Sequence, residues 1–212
     1  MKGTKCIFFD LDGTLTDSEP GLAESFTYIF NKYGVDIGER SLRQFFGPPI
    51  SQSLSPYFST KEEVEAAVAD YREHYRERYL TGNSLYAGIV DMLDALKSKG
   101  YALAVVTGKP EATAEDIVRH FHIRKYFDAV CGVYQGHTEK IETLNRALEL
   151  HSCPPDQAVM IGDRMYDLEA AMLGKTAGIG VLWGYGTREE LEAYDSLFLA
   201  NSPLEIVKYF EA

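Results

Sequence analysis

Short apolar runs that break on glycine or a charged residue alternate with stretches of helical spacing along most of this chain. Cys6 to Phe9 is such a run and stops at Asp10-Leu11-Asp12-Gly13-Thr14. Tyr101 to Val106 stops at Thr107-Gly108, Phe127 to Cys131 at Gly132, and Ala158 to Ile161 at Gly162-Asp163; Ala177 to Leu182 ends near Gly184. Runs that are apolar on both faces suit strands buried in a parallel sheet. Between them, Gly88 to Lys99 places Ile89, Met92, Leu93 and Leu96 on one helical face, and Ala112 to Phe121, Glu139 to Leu150 and Asp167 to Leu173 also read as helices. Thr187-Arg188-Glu189-Glu190 and Ser202-Pro203-Leu204-Glu205 have the form of capping boxes, the second with proline at the first helical position. Strands alternating with helices predict an α/β fold, a doubly wound, Rossmann-like parallel sheet.

One region departs from the alternation. Residues 18 to 80 hold no convincing buried strand. Leu22, Phe26, Ile29, Phe30 and Tyr33 follow helical spacing, and Thr60-Lys61-Glu62-Glu63 is a third capping box, opening a long helix through Tyr79. Between them lies a stiff turn, Phe45-Phe46-Gly47-Pro48-Pro49. The expected organisation is a core of residues 1–16 and 82–212, with a small α-helical cap at 17–81 inserted after the first strand.

Composition narrows the classes of function. With 212 residues, 45% of them apolar and 25% charged, the chain can bury a full core without metal or disulfide staples. A net charge of −11 would repel a phosphate backbone, so a nucleic-acid partner is not expected. Cys6, Cys131 and Cys153 are odd in number and form no CxxC pair, which predicts a reducing compartment and, by default, the cytoplasm. The first apolar run is too short for a signal peptide or a membrane span. A monomer acting on a small molecule is the default expectation.

The chemistry gathers where strands end. In open α/β sheets ligands bind beyond the carboxyl ends of the strands, and Asp10-x-Asp12, Thr107, Asp163 and, at a helix start, Lys140 all fall there. If the strand period continues, Asp10 and Asp12 point the same way. Such a pair divides labour, one carboxylate attacking phosphorus and the other moving a proton. The attack meets a charged ester, so a Mg²⁺ held by hard oxygens, with Asp163 and Asp167 among the donors, would screen it. The Thr107 hydroxyl and the Lys140 ammonium suit the remaining phosphoryl oxygens, and Gly13 and Gly108 would let backbone approach them. Lys109, two residues past Thr107, competes with Lys140 for the phosphate. The blander readings are a turn for Asp10 to Gly13, a helix cap for Asp163, a turn residue for Thr107 and an exposed helix lysine for Lys140.

Asp10-Leu11-Asp12-Gly13-Thr14-Leu15 resembles the first signature of the haloacid dehalogenase superfamily, whose members are mostly phosphatases. Thr107-Gly108-Lys109-Pro110 is similar to its second motif, Lys140 sits where the third motif's lysine is expected, and Gly162-Asp163-Arg164-Met165-Tyr166-Asp167 is similar to its fourth. The helical insert is similar to a C1-type cap. Within the superfamily the chain looks like the phosphoglycolate phosphatases and the related 5′-nucleotidase-like group, through Gly47-Pro48-Pro49 and Gly184-Tyr185-Gly186-Thr187. The resemblance implies that Asp10 is the nucleophile and Asp12 the proton shuttle. It implies that Asp10, the backbone carbonyl of Asp12, and Asp163 hold Mg²⁺, with Asp167 supporting the metal shell. Thr107, Gly108 and Lys140 would bind phosphate, and Phe46, Gly47 and Pro48 would bear on substrate choice. Two alternatives remain at this level: a sugar phosphomutase of the same superfamily, with Arg40, Arg43, Arg72, Arg76 and Arg78 available for a second phosphate, and a non-enzymatic phospho-aspartate signalling domain.

Overall fold

The computed structural model describes residues 3–134 and 139–211. They fold into two compact units, one of the described residues up to 17 and from 85 onward, the other of residues 18–84. The divisions at 17/18 and 84/85 lie one and three residues beyond the expected 16/17 and 81/82.

The first unit is built on β1 (Cys6–Phe9), followed by the two-residue β2 (Thr16–Asp17). In the second unit, α1 (Glu19–Tyr33), α2 (Ile50–Leu54) and α3 (Lys61–Arg76) pack together. Thr60 and Glu63 form both halves of the expected capping box at the start of α3. Helical spacing places one face of α1 and one of α3 on a shared aromatic core, in which the Phe26 ring lies 4.8 Å from Tyr71, 5.5 Å from Phe45 and 6.1 Å from Phe46.

The chain returns through β3 (Ser84–Leu85) and then alternates: α4 (Ile89–Ser98), β4 (Ala102–Pro110), α5 (Glu111–His120), β5 (Ala129–Val133), α6 (Lys140–Leu150), β6 (Ala158–Gly162), α7 (Met165–Leu173), β7 (Ala177–Val181), α8 (Arg188–Glu192), β8 (Leu199–Ala200) and α9 (Pro203–Tyr209). The six-stranded sheet runs β5-β4-β1-β6-β7-β8, parallel throughout, with helices against it. β1 is central, with Phe9 opposite Val105 of β4 and Ile161 of β6. Strand period explains why it is apolar throughout. Cys6 and Phe8 join Ala104, Val106 and Met160 in a core closed by Leu144 and Ala147 of α6 and Ala170 and Ala171 of α7. Ile7 and Phe9, equally buried, point to the opposite face.

Two expected capping boxes form differently. Thr187 accepts a hydrogen bond from Glu190 N, but the Glu190 carboxylate turns to Met165 N and the Arg164 guanidinium. Ser202 makes no cap bond, and Glu205 instead accepts from Asn201 N. β8 and α2 were not expected; each is too short to carry a period.

Candidate active site

Parallel pairing brings the carboxyl ends of β1, β4 and β6 to one edge of the sheet. Asp10 follows Phe9 directly, and its backbone stays anchored, Asp10 N donating to Ile161 O at 2.9 Å. Asp163 follows the last residue of β6, and Asp167 lies in the first turn of α7. Asp10 is 6% exposed, Asp163 and Asp167 are fully buried, and oxygens from all three lie within 4.8 Å of one another. Asp167 is thus a member of the carboxylate cluster itself. Asp12 is not one of the three; its Oδ2 lies 2.9 Å from Lys109 Nζ.

Lys140, the first residue of α6, reaches the cluster and places Nζ 2.6 Å from both Asp10 Oδ1 and Asp167 Oδ1. Lys140 is thus not the exposed helix lysine of the blander reading, its side chain being only 14% exposed. Each lysine has its own carboxylates, Lys140 those of Asp10 and Asp167, Lys109 that of Asp12.

Burial dominates the electrostatics. It pushes Asp10 up to about 7, aided by Asp167 and Asp12, while Lys140 pulls the other way. Burial likewise drives Asp163 well above the usual carboxylate range, reinforced by Asp167 and Asp10 and opposed by hydrogen bonds from Tyr185 N and Thr14. Burial works to lower Lys140, but Asp10 and Asp167 outweigh it and hold the ammonium above the ordinary lysine value. Three carboxylates against one ammonium leave buried negative charge, and every donor is a hard oxygen. That donor set fits a Mg²⁺ ion, with Asp10, Asp163 and Asp167 as the side chains able to hold it.

Residues to which the sequence assigned no role at the site hold Asp163 in place. Thr14 Oγ1 donates to Asp163 Oδ1 at 3.0 Å, and Tyr185 N donates to Asp163 Oδ2 at 2.8 Å. Trp183 Nε1 donates to Thr14 O at 3.0 Å, tying the loop after β7 to the loop after β1. A Cβ at Gly186 would overlap the Asp163 carbonyl oxygen, so this loop rests directly on the backbone of the cluster. Thr14 stands inside the first motif, but its partner is 149 residues away, and no local pattern signals the pair. Asp167 Oδ2 accepts from Arg164 N at 3.0 Å, so one carboxylate both caps α7 and joins the cluster. The cap of that helix is Arg164, not Asp163.

Thr107 is buried at the end of the regular part of β4, and its Oγ1 accepts from Lys109 N at 3.2 Å. Gly108 is exposed with open space around it, whereas a Cβ at Gly13 would collide with the Asp163 carboxylate. In the second unit Phe46 is 1% exposed within the aromatic core, Gly47 is exposed and Pro48 half-buried. The Phe46 ring is a packing element of that core.

The family model described as haloacid dehalogenase-like hydrolase matches residues 7–183. A protein named 5′-nucleotidase from Pseudomonas aeruginosa is 36% identical over 192 residues, covering 89% of this chain and 87% of that protein. Tyrosine-protein kinase PtkA of Mycobacterium tuberculosis is also 36% identical, over 189 residues, with 88% of this chain but 65% of that protein covered. The solved structure of a haloacid dehalogenase-like family hydrolase from Streptococcus pneumoniae superposes with a TM-score of 0.93 at 34% identity, covering 99% of this chain and 100% of that one. Other relatives carry phosphatase and pyrophosphatase names.

Proposed function

The chain belongs to the haloacid dehalogenase-like hydrolases and is a phosphoric monoester hydrolase of that family; from that premise we propose that it cleaves a small phosphate ester through an aspartyl phosphate on Asp10. The substrate is a phosphorylated metabolite of the kind taken by 5′-nucleotidases or phosphoglycolate phosphatases. The observation that carries the reading is the buried cluster at the sheet edge, with Lys140 Nζ 2.6 Å from Asp10 Oδ1 and Asp12 two residues on.

In the proposed reaction the ionised Asp10 carboxylate attacks phosphorus, and the bond from phosphorus to the ester oxygen breaks. Asp12, protonated, gives its proton to the departing oxygen. It then takes a proton from the water that attacks the aspartyl phosphate, which returns Asp10 and frees inorganic phosphate. Lys140 offsets the charge of Asp10 and Asp167 as the anion arrives, and in this reading the Thr107 hydroxyl donates to a phosphoryl oxygen. Asp10, Asp163 and the Asp12 carbonyl, with Asp167 in support, would hold a Mg²⁺ ion, which would supply positive charge to screen the phosphoryl oxygens.

The arginines that a mutase would need for a second phosphate are partly engaged: Arg43 pairs with Glu19 at 2.6 Å, Arg78 with Glu24 at 2.7 Å, and Arg40 bonds the Tyr57 hydroxyl at 2.6 Å. That weighs toward water as the acceptor. The test is phosphate release from a panel of nucleoside monophosphates, phosphoglycolate and sugar phosphates, with EDTA and then excess Mg²⁺. Release that stops in EDTA and returns with Mg²⁺ supports the reading. Turnover that persists in EDTA counts against the metal site, and label retained on sugar without free phosphate makes the protein a mutase.

A further inference from the structure

The geometry points to Lys109 as the residue that positions Asp12: by holding Asp12 Oδ2 it leaves Oδ1 as the atom that carries the proton to the leaving oxygen and from the attacking water. The inference rests on the reading of Asp12 as the proton shuttle.

Three observations carry it. Lys109 Nζ lies 2.9 Å from Asp12 Oδ2, the lysine side chain 6% exposed and the aspartate 20%. A charge-assisted hydrogen bond so sheltered from water biases which carboxylate oxygen faces which way. The second oxygen, Asp12 Oδ1, is buried and has no hydrogen-bond partner among the described residues. Buried polar atoms are almost always satisfied, and leaving one bare carries a desolvation penalty. A carboxylate two residues from Asp10, with one oxygen clamped and the other bare, has the asymmetry that directed proton transfer needs. The third observation is how Lys109 comes to be there. β4 pairs regularly with β5 up to Val106 and Cys131, but the next pair is Pro110 with Val133, so three residues of β4 lie opposite one of β5. The extra residues form a bulge, a device that re-aims side chains next to active sites. Thr107 Oγ1 closes the bulge by accepting from Lys109 N. Gly132 on β5 makes room for it, since a Cβ there would collide with the Lys109 carbonyl oxygen. Lys140 is committed to Asp10 and Asp167, so the two lysines serve different carboxylates.

Leaving-group dependence tests this. An alkyl phosphate needs its departing oxygen protonated, whereas p-nitrophenyl phosphate releases a weakly basic phenolate that does not. In Lys109→Met, which keeps the length of the side chain and removes its charge, kcat for an alkyl phosphate should fall about 10- to 100-fold with KM little changed. With p-nitrophenyl phosphate the first turnover should persist, and slow hydrolysis of the aspartyl phosphate should appear as a burst of p-nitrophenol. Lys109→Gln retains a donor and should lie between wild type and the methionine variant; it gives the same comparison should Lys109→Met lose its circular-dichroism signature. Equal losses for both leaving groups, with raised KM, weaker inhibition by inorganic phosphate and no burst, would overturn the proposal and make Lys109 a phosphate ligand. Failure of the underlying reading shows separately, as wild-type protein that hydrolyses neither ester.

Discussion

Replacing Asp10 by asparagine should abolish turnover and, without metal, make the protein more stable at pH 8. Burial, reinforced by the charges of Asp167 and Asp12, raises Asp10 from an ordinary 3.8 to about 7. Its folded-state pKa is raised, so the folded protein binds more protons than the unfolded chain between about pH 4 and pH 7. Stability therefore falls as pH rises through that window. About three pH units at 1.36 kcal/mol each put the penalty for ionised Asp10 on the order of 4 kcal/mol at pH 8. The asparagine side chain would carry no such penalty, although Lys140 would lose one of its two carboxylates. A net gain of roughly 2–4 kcal/mol is expected, a Tm higher by roughly 5–10 °C for a chain of this size. The assay is thermal unfolding in EDTA, read by circular dichroism at about pH 4, 6 and 8. The gap between Asp10→Asn and wild type should open with pH and close near pH 4, while added Mg²⁺ should raise the wild-type Tm more than that of the variant. A variant less stable than wild type at pH 8 in EDTA, or one with appreciable phosphate release, would refute the reasoning.

Two other substitutions separate the site from its supports. Gly186→Ala pushes a methyl group into the Asp163 carbonyl, so it should cost about 1–3 kcal/mol and raise the Mg²⁺ concentration for half-maximal rate about 10-fold; an unchanged Mg²⁺ titration would mean that the loop does not support Asp163. Phe46→Ala empties a place in the aromatic core of the second unit and should cost about 3–5 kcal/mol in urea unfolding; little loss of stability with an altered substrate profile would return Phe46 to substrate recognition.

The sheet was legible because a parallel strand buried on both faces reads as an unbroken apolar run, and Cys6 to Phe9 and Ala158 to Ile161 have no competing period. The polar breaks after those runs mark the edge where Asp10 and Asp163 meet, since parallel strands all end on one side. What stayed hidden depends on contacts across long stretches of chain. Which lysine meets which carboxylate turns on a bulge at Thr107 to Lys109 that has no sequence period. The tie of Thr14 to Asp163 joins two loops through side chains. Glu190 has the spacing of a capping box, yet a buried guanidinium and the amide of Met165 compete for its carboxylate and win. The packing of the Phe46 ring against Phe26 likewise joins separate elements, and the Gly47-Pro48-Pro49 turn that follows it does not announce the contact.

The insertion of residues 18–84 between β1 and β4 has a consequence in the statistics of the unfolded chain. Phe9 must find Val105, about 96 residues along, and about 67 of those belong to the inserted unit. Closure entropy grows only as the logarithm of length, so removing the whole insert would ease that pairing by only about 1 kcal/mol. The insert folds on its own aromatic core and adds little to the difficulty of assembling the sheet. Its sequence can therefore change length and composition with small effect on closing the pair of Phe9 with Val105.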